Sequence, residues 1–199
     1  MGRTSDAPQQ LIEAARSLLH DRGYSAIGVA EICERANVRK GSFYHFFPSK
    51  QALTAATLRA TWATERVRWV ELLKQGDGLE RLEALFGEQA RIQLDHHLST
   101  GSVVGCLYGN LALETNASEA DLRDCLREIF DDQCQLVLGA LSAAAASGSL
   151  AAEEASEDNA RALIAQLEGA VLLAKLYDDP SSLSRLWRQM AGLLGLARA

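Results

Sequence analysis

The twelve residues RKGSFYHFFPSK, numbered 39 to 50, concentrate the side chains best suited to work on a polyanion. Arg39, Lys40 and Lys50 carry positive charge, Ser42 and Tyr44 carry hydroxyls, and His45 carries an imidazole. Such groups donate hydrogen bonds to phosphate oxygens, which fix position, and to base edges, which convey sequence. Arg39 is the candidate base reader, because a guanidinium grips N7 and O6 of guanine with two parallel bonds. His45 can touch either kind of partner. Phe43, Phe46 and Phe47 interleave with these groups and read as the apolar underside of the same segment. Taken singly, each polar residue is equally a solvated side chain on a short helix. Their spacing makes the case.

Two short helices must position that face. Val29, Ile32 and Cys33 give residues 27–35 one apolar side, Ala36-Asn37-Val38 interrupts it, and a second helical run follows. Two such helices joined by a tight corner are a helix-turn-helix, whose second helix enters the major groove of DNA. The corner needs a left-handed residue, and asparagine is the best substitute for glycine there, so Asn37 is placed at it. Pro48 cannot prolong the second helix, and the Ser49 hydroxyl can cap the next. Upstream, Asp6 and Pro8 start a helix whose Leu11, Ala14, Ala15, Leu18 and Leu19 repeat with helical period up to Gly23. It is expected to complete a three-helix core.

The run Gly23-Tyr24, Val29, Ile32, Ala36, Val38, Lys40-Gly41-Ser42, Tyr44-His45-Phe46-Phe47, Ser49-Lys50 and Leu53 resembles the DNA-binding domain of the TetR family of bacterial repressors, densely over residues 8–55. The resemblance implies that Lys40, Tyr44 and Lys50 fix register on phosphates and that a homodimer represses from a palindromic operator. Two positions depart from the family pattern. Asn37 stands for the usual glycine, which is physically benign. Ile27-Gly28 stands for the usual Thr/Ser pair that caps the second helix and touches phosphate. Gly28 still caps, at a cost of about a few tenths of a kcal/mol, but the hydroxyl contact is missing.

Charge is divided along the 199-residue chain. A net charge of −6 argues, taken whole, against nucleic acid as a partner. Residues 1–50 nevertheless hold seven Lys/Arg against five Asp/Glu, while residues 51–199 hold 13 against 21. The positive segment is the one that would face phosphates, where counterion release supplies most of the sequence-independent affinity. No run of eighteen apolar residues and no leader-like start is visible, so a cytoplasmic protein with no membrane partner is expected. Cys33, Cys106, Cys125 and Cys134 lack paired spacing and read as free thiols.

The fold class expected is all-α: a helix-turn-helix domain over residues 1–48 and a helical ligand-sensing and dimerisation domain over 49–199, about nine or ten helices in all. A helix from about Ser49 to Lys74 carries Leu53, Ala56, Ala60, Ala63, Val67 and Val70 as one stripe, with Trp62 and Trp69 on another face. It reads as a lever between sensor and reading head, or else as a packed connector. Further helices are expected over 79–97, 105–116, 118–146, 157–177 and 181–197, with a mobile loop at 147–156. The helices over 118–146 and 157–177 are too apolar around their circumference for surface helices. A homodimer built from both accounts for the second apolar face.

Cys106 opens the segment GCLYGNLALE after a glycine-containing loop, and a helix N-terminus stabilises a thiolate. The segment resembles the NemR-like, electrophile-sensing subgroup of the family, and the resemblance extends to Lys175 in AVLLAKLYDD. A thiolate beside Lys175 would explain a lysine in an apolar run; the plainer readings are a small buried cysteine and a snorkelling lysine. Trp62, Trp69, Phe86, His96, Tyr108 and Tyr177 are candidates to line an inducer pocket, though aromatics at helical spacing are more often simple core.

His96-His97 are adjacent and make a poor metal pair, and no HExxH, CxxC or phosphate-cradling glycine motif occurs. No nucleophile–base–orienter set is present, so an enzyme is not expected, and neither is a cofactor or metal. What remains is a ligand- or thiol-responsive repressor, with a constitutive DNA-binding or scaffold protein as the alternative.

Overall fold

The computed structural model describes residues 6–116 and 118–196, and among these every regular element is a helix. They are α1 (Ala7–Arg22), α2 (Val29–Arg35), α3 (Lys40–Phe46), α4 (Lys50–Leu72), α5 (Gly78–Thr100), α6 (Leu107–Glu114), α7 (Ala120–Ser147), α8 (Glu157–Tyr177) and α9 (Leu186–Leu193). The chain forms two compact units, one of Met1–Thr64 with Leu107–Ile129, the other of Glu65–Cys106 with Phe130–Ala199.

In the first unit, α1, α2 and α3 pack on one another. Leu11, Ala14, Ala15, Leu18 and Leu19 of α1 are all buried, as their period predicts. Ile32 and Cys33 join them from α2, and Phe43 from α3 is completely enclosed. Asn37 takes φ +52 at the corner. Its N–H bonds the Glu34 carbonyl at 3.1 Å and the Val38 N–H bonds the Cys33 carbonyl at 2.9 Å, the paired closure of a Schellman motif. The Ser49 hydroxyl accepts the Ala52 N–H at 3.0 Å and so caps α4.

The inner face of α4 differs from the expected stripe. Ala60, Ala63 and Val67 are exposed, whereas Leu53, Thr54, Ala55, Thr57, Leu58, Trp62 and Trp69 are buried. A leucine and two tryptophans remove far more apolar area than a row of alanines, so volume overrides periodicity. α7 begins at Ala120 rather than Ser118, because the Ser118 N–H and hydroxyl both bond the Asn116 side chain in a local turn.

In the second unit, α5, α8 and α9 pack together. α5 opens on a capping box: Asp77 Oδ1 accepts the Leu79 and Glu80 N–H groups at 2.9 Å, and Glu80 Oε2 accepts the Asp77 N–H at 2.9 Å. It runs to Thr100, three residues past the expected end, until left-handed Gly101 stops it. The loop expected to be mobile is pinned. Leu150 is buried, the Ser149 hydroxyl bonds Asp77 at 3.1 Å, and Asn159 bonds the Glu154 carbonyl at 2.9 Å.

The last helix is split into a 3-10 turn over Pro180–Arg185 and α9, and its expected end at Ala197 lies outside the described residues. Asp179 accepts the Ser181 N–H at 2.8 Å and Ser184 donates to the Ser181 carbonyl at 2.6 Å. These side-chain bonds compete with an α-helical ladder. No described helix is long and apolar enough to cross a membrane.

Gly78 marks where α5 starts hard against α7. A Cβ there would lie 2.2 Å from the Ala140 carbonyl oxygen and 2.3 Å from the Ala144 nitrogen, backbone atoms that cannot rotate aside. Gly78→Ala should therefore destabilise the fold by about 1–3 kcal/mol, read as a lower urea midpoint with an unchanged slope.

Candidate nucleic-acid interface

Local packing turns α3 into a platform. Phe43 is buried, Phe46 and Phe47 are partly so, and Arg39, Lys40, Gly41, Ser42, Tyr44 and His45 are all exposed. Lys40 and Tyr44, and Gly41 and His45, are each four apart and stand one above the other. The Tyr44 ring meets Phe43 edge-on at 5.1 Å and the His45 ring meets Phe46 edge-on at 5.0 Å. These two outward rings are thus seated against phenylalanines of the same helix. A Cβ at Gly41 would meet open space, so glycine there leaves the backbone itself approachable.

An open groove of about 630 Å³ runs along this face, lined by Asp6 and Gln10 of the α1 start and by Arg39, Gly41, Ser42 and His45. Asp6 and Gln10 carry no signal in the sequence beyond an ordinary helix start. Packing alone brings them to the face.

Lys50 sits differently from the other five. Its ammonium donates to the Tyr24 carbonyl at 2.9 Å and the Ile27 carbonyl at 3.1 Å, and lies 3.9 Å from the centre of the Tyr24 ring. Two of its three donors therefore brace the turn between α1 and α2, an arrangement that spacing in the sequence does not reveal.

The sensing candidates fall in both units. Trp62 and Tyr108 are buried in the first, rings edge-to-face at 6.2 Å; Trp69 and Phe86 are buried in the second. Tyr177 is 74% exposed at the end of α8 and lines no interior space, because α8 turns its other face inward. His96 bonds the Ser102 carbonyl through Nδ1 at 2.9 Å. Among the described residues no group of three or more His, Cys, Asp or Glu is placed to hold a metal.

Cys106 immediately precedes α6 and is half-buried. The segment before it is firmly held. Gln93 takes both the N–H (3.0 Å) and the C=O (3.2 Å) of Gly105, and Asp178 accepts the Val103 N–H at 2.8 Å. The Cys106 side chain hydrogen-bonds the Glu168 carboxyl of α8. Lys175 is exposed on the same face of α8, two turns farther on, about 10 Å along the axis. Burial pushes the Cys33, Cys125 and Cys134 thiols up.

Residues 11–57 match the family model described as bacterial regulatory proteins, tetR family, and residues 78–190 match a tetracyclin repressor-like C-terminal domain. The transcriptional regulator AcuR of Cereibacter sphaeroides is 35% identical, covering 94% of this chain and 87% of AcuR. The transcriptional repressor NemR of Escherichia coli K12 is 33% identical, covering 72% of this chain and 69% of NemR. Among solved structures, reduced E. coli NemR superposes with a TM-score of 0.82 at 26% identity over 94% of this chain and 96% of that one. The regulatory protein TetR from Rhodobacter sphaeroides gives 0.80 at 32% identity, over 94% and 98%.

Burial raises the pKa of the Glu168 carboxyl, partly offset by its bond to Cys106. A raised folded-state pKa means that the ionised group opposes folding above the unfolded-state value of about 4.3, and that the opposition fades as pH falls toward it. Glu168→Gln removes the charge and keeps an acceptor for Cys106. Its melting temperature should exceed that of the parent at pH 8, with the gap closing by pH 4.

Proposed function

Because the chain belongs to the TetR family of DNA-binding transcriptional regulators, we propose that it is a cytoplasmic repressor that holds a palindromic operator as a homodimer. A small-molecule or thiol-reactive inducer acting on the C-terminal domain releases it. The observation that carries this reading is the α3 platform: five polar side chains exposed together over a buried phenylalanine. Arg39 reads base edges, Lys40 and Tyr44 fix register on phosphates, and Ser42 and His45 touch either. Lys50 keeps one donor for phosphate while bracing the turn behind it.

Dimerisation through α7 and α8 is supported by what α8 leaves uncovered. Opposite its buried stripe it carries Ala162, Ala165 and Gly169, then Leu172, Leu173 and Leu176, the last of which is 70% exposed. Small residues admit a second helix closely and the leucines supply area to bury. A two-fold dimer presents two α3 helices to half-sites about 34–36 Å apart, or a multiple of that. An inducer that favours a different separation lowers affinity for both half-sites at once, by its differential affinity for the two states. α4 is the lever in this scheme. Cys106 is the thiol proposed to take an electrophile, with Lys175 two turns beyond its partner Glu168 on α8; a small structural cysteine is the competing role.

Gel shifts on the DNA flanking the gene, with and without electrophiles and hydrophobic ligands, test the whole scheme. Binding that no compound relieves would favour a constitutive DNA-binding protein. Arg39→Ala should cost about 1–3 kcal/mol and relax specificity at one base position, whereas Lys40→Ala should weaken all sequences alike and reduce the salt slope by about one. Mass spectrometry after mild alkylation should find Cys106 modified before Cys33, Cys125 and Cys134; equal labelling of all four would remove the thiol-sensor role.

A further inference from the structure

We propose that Glu114 is a positioning residue for the recognition helix, gripping from the end of α6 the turn that feeds the helix-turn-helix. The inference rests on the DNA-binding reading above and adds to it a residue that need touch no DNA. Glu114 is the last residue of α6, where the helix dipole disfavours a carboxylate. Its charge is satisfied across the fold instead. Oε2 accepts the Ser25 N–H at 2.8 Å and Oε1 accepts the Tyr24 N–H at 3.2 Å. Two successive backbone N–H groups make an anion cradle.

Gly23 makes the approach possible. It takes φ +78, which ends α1, and a Cβ on it would lie 2.2 Å from Glu114 Oε1. The same turn is held from two further directions. Burial, helped by a bond from the Tyr24 hydroxyl to Glu119 just before α7, pushes the phenol up to about 12. The Lys50 ammonium bonds the Tyr24 and Ile27 carbonyls and covers the Tyr24 ring. Tyr24 is thus fixed at its N–H, its C=O, its ring and its hydroxyl, by groups from α4, α6 and the lead into α7.

That turn ends at Gly28, the N-cap of α2, and α2 leads through the Asn37 corner into α3. Where the turn lies sets where α2 enters, and hence where α3 points. α6 in its turn follows Cys106 in the chain without a linker. A displacement of the end of α6 is therefore delivered to the turn by one carboxylate.

The test compares full-length wild type, Glu114→Ala and Glu114→Gln. On flanking DNA that wild type binds, Glu114→Ala should lose affinity by about tenfold, the scale of one charge-assisted bond. The dependence on salt should keep its slope, because no phosphate contact is removed. Glu114→Gln keeps one acceptor oxygen and should fall between the two. Hydrogen exchange read without DNA should show faster exchange at the Tyr24 and Ser25 amides and along residues 29–46 in Glu114→Ala. Wild-type affinity in both variants, faster exchange confined to residues 24–25, or a changed salt slope would overturn the proposal. If Glu114→Ala does not fold, Glu114→Gln decides: affinity and exchange equal to wild type would also overturn it. A wild-type chain that binds no flanking duplex sinks the repressor reading instead, and the exchange measurement still judges the grip.

Discussion

A seven-residue helix has no stability of its own in water, so the exposed face of α3 exists only while Phe43 is held in the core beneath it. Everything that makes this chain a DNA reader follows from that burial. α1 and α2 supply the walls of the site that receives the ring, and the left-handed Asn37 corner lets α3 swing round to reach it. Tyr44 rests edge-on against Phe43, and His45 against Phe46. These two rings therefore have less rotamer freedom to lose on binding, which is part of the usual cost of ordering side chains at an interface.

The reading head is more than three helices. α6 and the first part of α7 belong to the same compact unit as α1–α3, and the contacts that tie them in are specific rather than merely apolar. Carboxylates from Glu114 and Glu119 and the ammonium of Lys50 converge on Tyr24 and its neighbours. A three-helix core of this size buries little surface, and charge-assisted bonds to a single turn add direction that hydrophobic burial cannot provide. The acidic balance of residues 51–199 keeps the remainder of the molecule from competing for phosphate.

In the second unit, polar side chains hold the backbone where the helices end. Gln93, Asp178 and His96 satisfy the segment from Ser102 to Gly105, and Asp77 with Ser149 closes the loop after α7. Cys106 is presented at the end of this fixed segment with a partly desolvated carboxyl as partner. A carboxyl can accept from S–H but gives no compensating charge to a thiolate. The thiol thus shares a hydrogen bond with a carboxyl whose pKa burial raises.

The sequence alone settled the parts governed by short-range rules. The period of α1, the asparagine corner, the Ser49 cap and the membership of the α3 face are all local, and each stands as the spacing implies. The second apolar face of α8 was legible for the same reason. What the sequence left open depends on which surfaces compete for burial. On α4 the tryptophans displaced the alanine stripe, since area outweighs period. At Lys50, Glu114 and Glu168 the partners lie 26, 90 and 62 positions away, or thereabouts, in the chain. No local pattern encodes such pairs. A charge does not record in its neighbours whether it will meet solvent, phosphate or a distant backbone amide, and only the packed chain chooses among them.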